Sequence, residues 1–199
     1  ALKDKAELVA PVTLWSWNMI LNGGIISGAL SCDNAINING VVTIGSYGKL
    51  NAGTLHLHEN GLLTTSAKGL ALNAKTSDLI FNGGKLISLN KLTAYSLTMS
   101  GGHLDMTNAK PMALTITDQA ILLENAHISL YGKLTAASLE MNQSSITMNM
   151  APEDVTEKLQ PKPQSLTLKD KYATGTLTDS SLNINCSMSV AGNLELHHT

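Results

Sequence analysis

The chain has 199 residues, a formal charge of −2, only 14% charged and 4% aromatic side chains, and lysine for all 13 of its basic residues. A near-neutral surface without arginine argues against a nucleic-acid partner, because phosphate binding needs a dense basic surface and base readout usually recruits arginine. No apolar run approaches the roughly 20 residues of a bilayer span, and Ala1-Leu2-Lys3-Asp4-Lys5 lacks the apolar core of a signal peptide, although a chain that starts without Met and in mid-pattern reads as an excised piece.

The organising signal is a phrase that returns: YGKLNAGTLHLHENG from Tyr47, LNKLTAYSLTMSGG from Leu89 and YGKLTAASLEMNQSS from Tyr131, with Lys49, Lys91 and Lys133 recurring at a fixed step. A period of this size marks a stacked fold in which each repeat covers its neighbour. Residues 1–17 precede the pattern and are expected to form an N-terminal cap or lead-in. They carry Pro11 and the alternation Trp15-Ser16-Trp17. Paired indoles serve either as a sugar-stacking platform or as an apolar lid over the first turn; the lid is the expectation, because the open end of a stack has to be covered.

From residue 18 a rung of alternating apolar and polar residues recurs: NMILNGG, AININGV, TLHLHEN, DLIFNGG, SLTMSGG, AILLENA, SLEMNQS, SLTLKDK and SLNINCS, starting at Asn18, Ala35, Thr54, Asp78, Ser96, Ala120, Ser138, Ser165 and Ser181. Alternation over four or five residues is a strand signal. Strands returning every 18 to 24 residues without a helical stretch between them cannot be βαβ units. The expected fold is all-β, a parallel β-helix with turns of about 18 and 24 residues, right-handed by the general preference of parallel connections. The long turns hold an additional alternating piece (Leu70-Ala71-Leu72-Asn73, Met112-Ala113-Leu114-Thr115), the short ones Lys91-Leu92-Thr93-Ala94 and Lys133-Leu134-Thr135-Ala136.

Stacking assigns the faces. The second and fourth rung positions are large and apolar throughout, from Met19 and Leu21 to Leu182 and Ile184, and point inward. The third, with Asn37, His56, Thr98 and Glu140, points outward; the fifth is rich in Asn and is followed by the pairs Gly23-Gly24, Gly83-Gly84 and Gly101-Gly102, as a sharp corner requires. Residues 18–148 thus form the coil. Residues 149–164, containing APEDVTEKLQPKP, leave it as an inserted loop with one short helical turn opened by Pro152; residues 165–199 complete it. On this stacking Cys32 and Cys186 lie about seven turns apart, roughly 34 Å at about 4.8 Å per turn, beyond the ~7 Å bridging limit, so both are expected as free thiols.

Candidate chemistry is sparse. No nucleophile elbow, phosphate-binding loop, dinucleotide fingerprint or Cys/His constellation is present. His103 and His127 occupy equivalent positions on neighbouring turns with Lys85 one turn before them; two imidazoles beside a cation make a poor metal site, and no metal or cofactor is expected. Asp78, Asp105, Glu124 and Glu140 take different rung positions and form no acidic column. The candidate partner-contact residues are therefore Glu153, Asp154, Glu157 and Lys158 of the insert, together with His103 and His127.

The segments KLTAYSLTMSGGHLDM and KLTAASLEMNQSSITM resemble rungs of bacterial secreted β-helix proteins, the passenger regions of autotransporters and the filamentous-haemagglutinin-like exoproteins of two-partner secretion. The resemblance covers roughly residues 18–199 and implies export across the outer membrane to a secreted or cell-surface location, and adhesion, aggregation or display. No functional residue is carried over by it. The expectation is a non-catalytic adhesin or structural stalk of virulence type whose partner is a host or bacterial surface protein or glycan, or a second copy of itself. The alternatives are a polysaccharide-acting β-helix enzyme and a pore or toxin passenger.

Overall fold

A computed structural model describes residues 7–8, 13–45, 48–65, 70–72, 77–88, 91–107, 112–117, 121–148, 165–168, 174–178, 181–184, 187–190 and 193–197. Among these residues every strand ladder is parallel, one isolated bridge between His58 and Gly83 excepted, and no helix occurs. The fold is a parallel β-solenoid.

Three ladders run along it. Wall one stacks 18–21, 35–38, 54–58, Asp78–Asn82, Ser96–Ser100, Ile121–Glu124, Leu139–Asn142, Thr174–Thr178 and Asn193–His197. Wall two stacks 23–26, 41–44, Leu62–Thr65, Lys85–Ser88, His103–Met106, His127–Leu130, Ser145–Met148 and Ser181–Ile184. Wall three begins with 14–16, 29–32, 49–52 and Leu70–Leu72 and continues as a separate sheet through Leu92–Ala94, Met112–Ile116, Gly132–Ala136, Ser165–Leu168 and Ser187–Val190. The expected steps of 24 and 18 residues are the observed registers, with Thr54 on Asp78, Asp78 on Ser96, Leu97 on Ile121 and Ile121 on Leu139.

Inside and outside follow the alternation. Leu55, Leu79, Leu97, Ile121 and Leu139 form one buried column, and Ile38, Leu57, Phe81, Met99, Leu123 and Met141 the next. Met19, on the first described turn of wall one, is only partly buried against them. Wall two supplies a further inward column, Leu63, Leu86, Leu104, Ile128 and Ile146. Wall three contributes Leu30, Leu50, Leu92, Leu114 and Leu134. All belong to one continuous apolar core, each fully buried member worth about 1.5–3 kcal/mol of apolar burial against the ordering cost of its turn. Apolar residues at the middle rung position also face outward, Ile20 and Leu122 being exposed.

Three expectations change. The rungs at Ser165 and Ser181 do not continue wall one: Leu166 lies on Leu134 in wall three and Leu182 on Ile146 in wall two, while Leu139 is followed by Gly175 and then Leu194. An alternating Leu-x-Leu phrase satisfies any wall, so it specifies which side is buried without specifying which wall it belongs to. Likewise the additional piece of the long turns is not additional. Leu70–Leu72, Leu92–Ala94, Met112–Ile116 and Gly132–Ala136 all belong to wall three, so every turn has the same three strands and the length difference sits in the connections. Finally, the lead-in joins the coil, Glu7–Leu8 pairing with Ile25–Ile26 and Leu14–Ser16 with Leu30–Cys32. Trp15 shares the outward register of Ser31, and the two indoles are 63% and 60% exposed on the flank instead of closing the end as a lid. The insert at 149–164 lies outside the described residues.

The corner between walls one and two explains its composition. At several turns the residue after the Asn-rich position has positive φ: Gly23, Gly83 and Gly101, and, without glycine, Asn125 at 50° and Gln143 at 47°. The corner is tied along the stack by backbone bonds, Gly101 N–H to the Glu124 carbonyl at 2.7 Å and Asn125 N–H to the Asn142 carbonyl at 3.0 Å. A left-handed conformation costs a non-glycine residue about 1–2 kcal/mol, so Gln143→Gly is expected to stabilise the protein by about 0.5–1 kcal/mol after the added chain entropy. The urea midpoint measures it; a lower midpoint would contradict the strain.

Candidate functional site

With the inner positions filled by core, partners can meet only the outward columns, and wall two carries the densest chemistry. Its register places Lys85, His103, His127 and Ser145 on successive turns, as their spacing implies. The two imidazoles meet edge to face with centroids 6.3 Å apart. His127 Nδ1 lies 2.6 Å from Ser145 Oγ, and His103 Nε2 lies 3.2 Å from Ser129 Oγ on the following turn. Beside this column Asp105 accepts hydrogen bonds from the Thr107 N–H at 3.1 Å and hydroxyl at 2.7 Å, and Lys85 Nζ stands 3.9 Å from its second oxygen.

Charge and burial act together there. Burial lowers the His103 pKa below its ordinary value and the Lys85 ammonium lowers it further, against the opposing pull of Asp105. Burial alone would raise the Asp105 carboxyl, but the Thr107 hydrogen bonds, Lys85 and His103 together hold it below the usual range. The column therefore presents imidazoles and hydroxyls flanked by one ion pair. No group of three His, Cys, Asp or Glu side chains that could hold a metal occurs among the described residues. His103 and His127 are thus brought together as expected, whereas Glu153, Asp154, Glu157 and Lys158 lie outside the described residues.

On wall one His56 and His58 stack with centroids 6.1 Å apart, and His58 Nε2 is 3.0 Å from Asn37 Oδ1. Burial first and the neighbouring His58 second lower the His56 pKa, opposed by Asp78. For both His56 and His103 the unfolded chain takes up protons as pH falls through about 6.5 while the folded site resists until lower pH. The unfolded state then binds more protons, so stability falls as pH falls below about 6.5, until the folded sites themselves protonate. Asp105, with its depressed pKa, adds stability present above about 3.8 and lost as pH falls through its folded value. The urea midpoint is expected to be lower at about pH 5.5 than at about pH 7.5, with His103→Gln removing part of the difference; an equal or higher acid midpoint would contradict it.

A shallow groove of about 690 Å³ crosses three turns of wall one, lined outwardly by Thr98, Leu122 and Glu140 and by Ser100, Glu124 and Asn142. Glu140 is in register with Leu122 and Glu124 with Asn142. The two carboxylates form no column, as expected, yet stand diagonally on neighbouring turns. Scanning the rungs by column alone misses this pair; diagonals across a ladder are also within reach of long side chains.

Cys32 is buried, its thiol donating to the Trp17 carbonyl at 3.0 Å and the Ala35 carbonyl at 3.2 Å. It is a free thiol, as expected; burial pushes its pKa up, Asp33 adding to the effect, which disfavours the reactive thiolate. Cys186 lies outside the described residues. No protein family, no curated protein and no solved structure matches this chain. No helix among the described residues is long and apolar enough to cross a membrane.

Proposed function

We propose that this chain is part of a non-catalytic, secreted or bacterial cell-surface β-solenoid that acts as an adhesin or structural stalk, binding or displaying a partner. The observation that carries the reading is the division of labour along the coil. Inward columns repeat the same apolar types from turn to turn, whereas the outward column of wall one changes at every turn, with Asn37, His56, Ile80, Thr98, Leu122 and Glu140 in succession. A stack of this kind offers a long lateral surface on a rigid spine, which solenoids use for binding. The resemblance of its rungs to autotransporter passengers and filamentous-haemagglutinin-like exoproteins supports the same location and role.

Binding of the purified chain to cells and to an array of glycans and surface proteins tests this, with saturable binding expected. A second reading, a polysaccharide-acting enzyme, is favoured by the groove that brings Glu124 and Glu140 together, since glycoside hydrolysis uses two carboxylates. Release of reducing ends from any polysaccharide, lost in Glu124→Gln or Glu140→Gln, would replace the first reading with the second.

A further inference from the structure

Going beyond the surface-binding reading, we propose that His56, His58 and Asn37 form a site for a divalent first-row transition-metal ion, Cu(II) binding tightest, on the outer face of wall one. His56 and His58 stand two apart on the strand Lys49–His58, their rings stacked at 14° with centroids 6.1 Å apart. Asn37 is the register partner of His56 on the preceding turn, and its Oδ1 lies 3.0 Å from His58 Nε2. Two imidazoles from one strand and an amide oxygen from its neighbour therefore converge. The third donor is an amide, so the set needs no third His, Cys, Asp or Glu side chain.

The spacing suits an ion. Nitrogen and oxygen donors each about 2.0–2.2 Å from one metal, at right angles to each other, stand about 3 Å apart. An ion can thus take the place of the hydrogen bond between His58 and Asn37, the ring proton of His58 moving to Nδ1. His56, half-buried and directly opposite Asn37, reaches the same ion by a change of rotamer. Coordination positions left over point to solvent, where water completes the shell.

Ligand type and charge select the occupant. Imidazole nitrogen suits Zn, Cu and Ni, and affinity along the first row peaks at Cu(II), whereas Ca and Mg call for a shell of oxygens. Burial first and His58 second lower the His56 pKa, so its ring is neutral at neutral pH, the form that ligates a metal. The carboxylate of Asp78 on the next turn, accepting the Ser96 hydroxyl at 2.6 Å, places negative charge within reach of His56. On the turns of Asn37, His56 and Asp78 the described outward residues of wall one include no lysine. His103 and His127 differ here, because Lys85 stands in their column.

Titration of the whole chain with copper(II) sulfate at about pH 7.5, followed by pulsed electron paramagnetic resonance, tests the site. The tightest Cu(II) is expected to show modulation from two imidazoles, a readout on the unmodified chain that needs no variant. His56→Gln and His58→Gln are each expected to weaken it by about tenfold or more and to leave one imidazole, and Asn37→Leu to weaken it by a smaller factor. His103→Gln and His197→Ala/His198→Ala are expected to change neither affinity nor spectrum. Unchanged far-ultraviolet dichroism separates lost binding from lost fold. Absence of saturable binding overturns the site, as does a tightest Cu(II) with fewer than two imidazoles, one that survives either His56→Gln or His58→Gln unchanged, or one lost with His103 or the terminal histidines. These spectra decide the metal site whether or not the chain adheres to cells, so its failure and that of the adhesin reading stay distinct.

Discussion

Leu97→Asp is expected to abolish cooperative folding. Leu97 is fully buried between Leu79 and Ile121 on the neighbouring turns, in a column that continues to Leu55 and Leu139. The substitution forfeits about 1.5–3 kcal/mol of apolar burial and places a carboxylate where nothing can solvate or pair it, which costs several kcal/mol more even when the group protonates. A total of about 5 kcal/mol or more is comparable with the whole stability of an ordinary domain. Thr98→Asp, one residue along and facing outward, is expected to change stability by less than about 1 kcal/mol. Thermal melts followed by circular dichroism compare the two; a native melt for Leu97→Asp, or equal losses for both, would invalidate the division into inner and outer columns.

Gly102→Ala is the second large effect. Gly102 sits at φ +89°, and a Cβ there would lie 2.3 Å from the Gly84 carbonyl oxygen of the turn below. The methyl group therefore meets backbone, which has to move, and that same oxygen accepts the His103 N–H at 3.0 Å. Left-handed strain and the displacement together are expected to cost about 2–4 kcal/mol. Gly101→Ala provides the comparison. Its φ is +83°, but its nearest neighbour would be the Gly83 Cα at 3.4 Å, so the conformational cost of about 1–2 kcal/mol should stand alone. The difference between the two urea midpoints isolates the clash, and equal midpoints would show that the corner yields freely.

How much of this could be read from the residues depends on the kind of pattern involved. Alternation within a rung and the regular spacing from Thr54 to Ser138 set the parallel stack, its buried side and the neighbour relation of His103 to His127, because strand periodicity converts directly into facing. Assignment to a wall was a different matter. Ser165–Leu168 and Ser181–Ile184 carry the same Leu-x-Leu phrase as wall one but belong to walls three and two, and only the length of each connection, which has no local signature, separates these alternatives. The inward column from Leu63 to Ile146 was hidden for a related reason: it follows the corner glycines so closely that it reads as the tail of the preceding rung. The groove at Glu124 and Glu140 escaped because it lies on a diagonal, and Trp15 looked like a lid because the open end of a stack has to be covered.

The bonds between turns, such as those from Gly101 to Glu124 and from His127 to Gly102, run from one coil to the next instead of within a coil. A tether pulling on both ends would load them in tension, a few at a time, instead of shearing a whole ladder at once. Under such a pull the molecule would lengthen in small, repeated yields as single coils come away, with the remaining coils still seated on one another, so that a surface stalk made this way would act as a shock absorber before it broke.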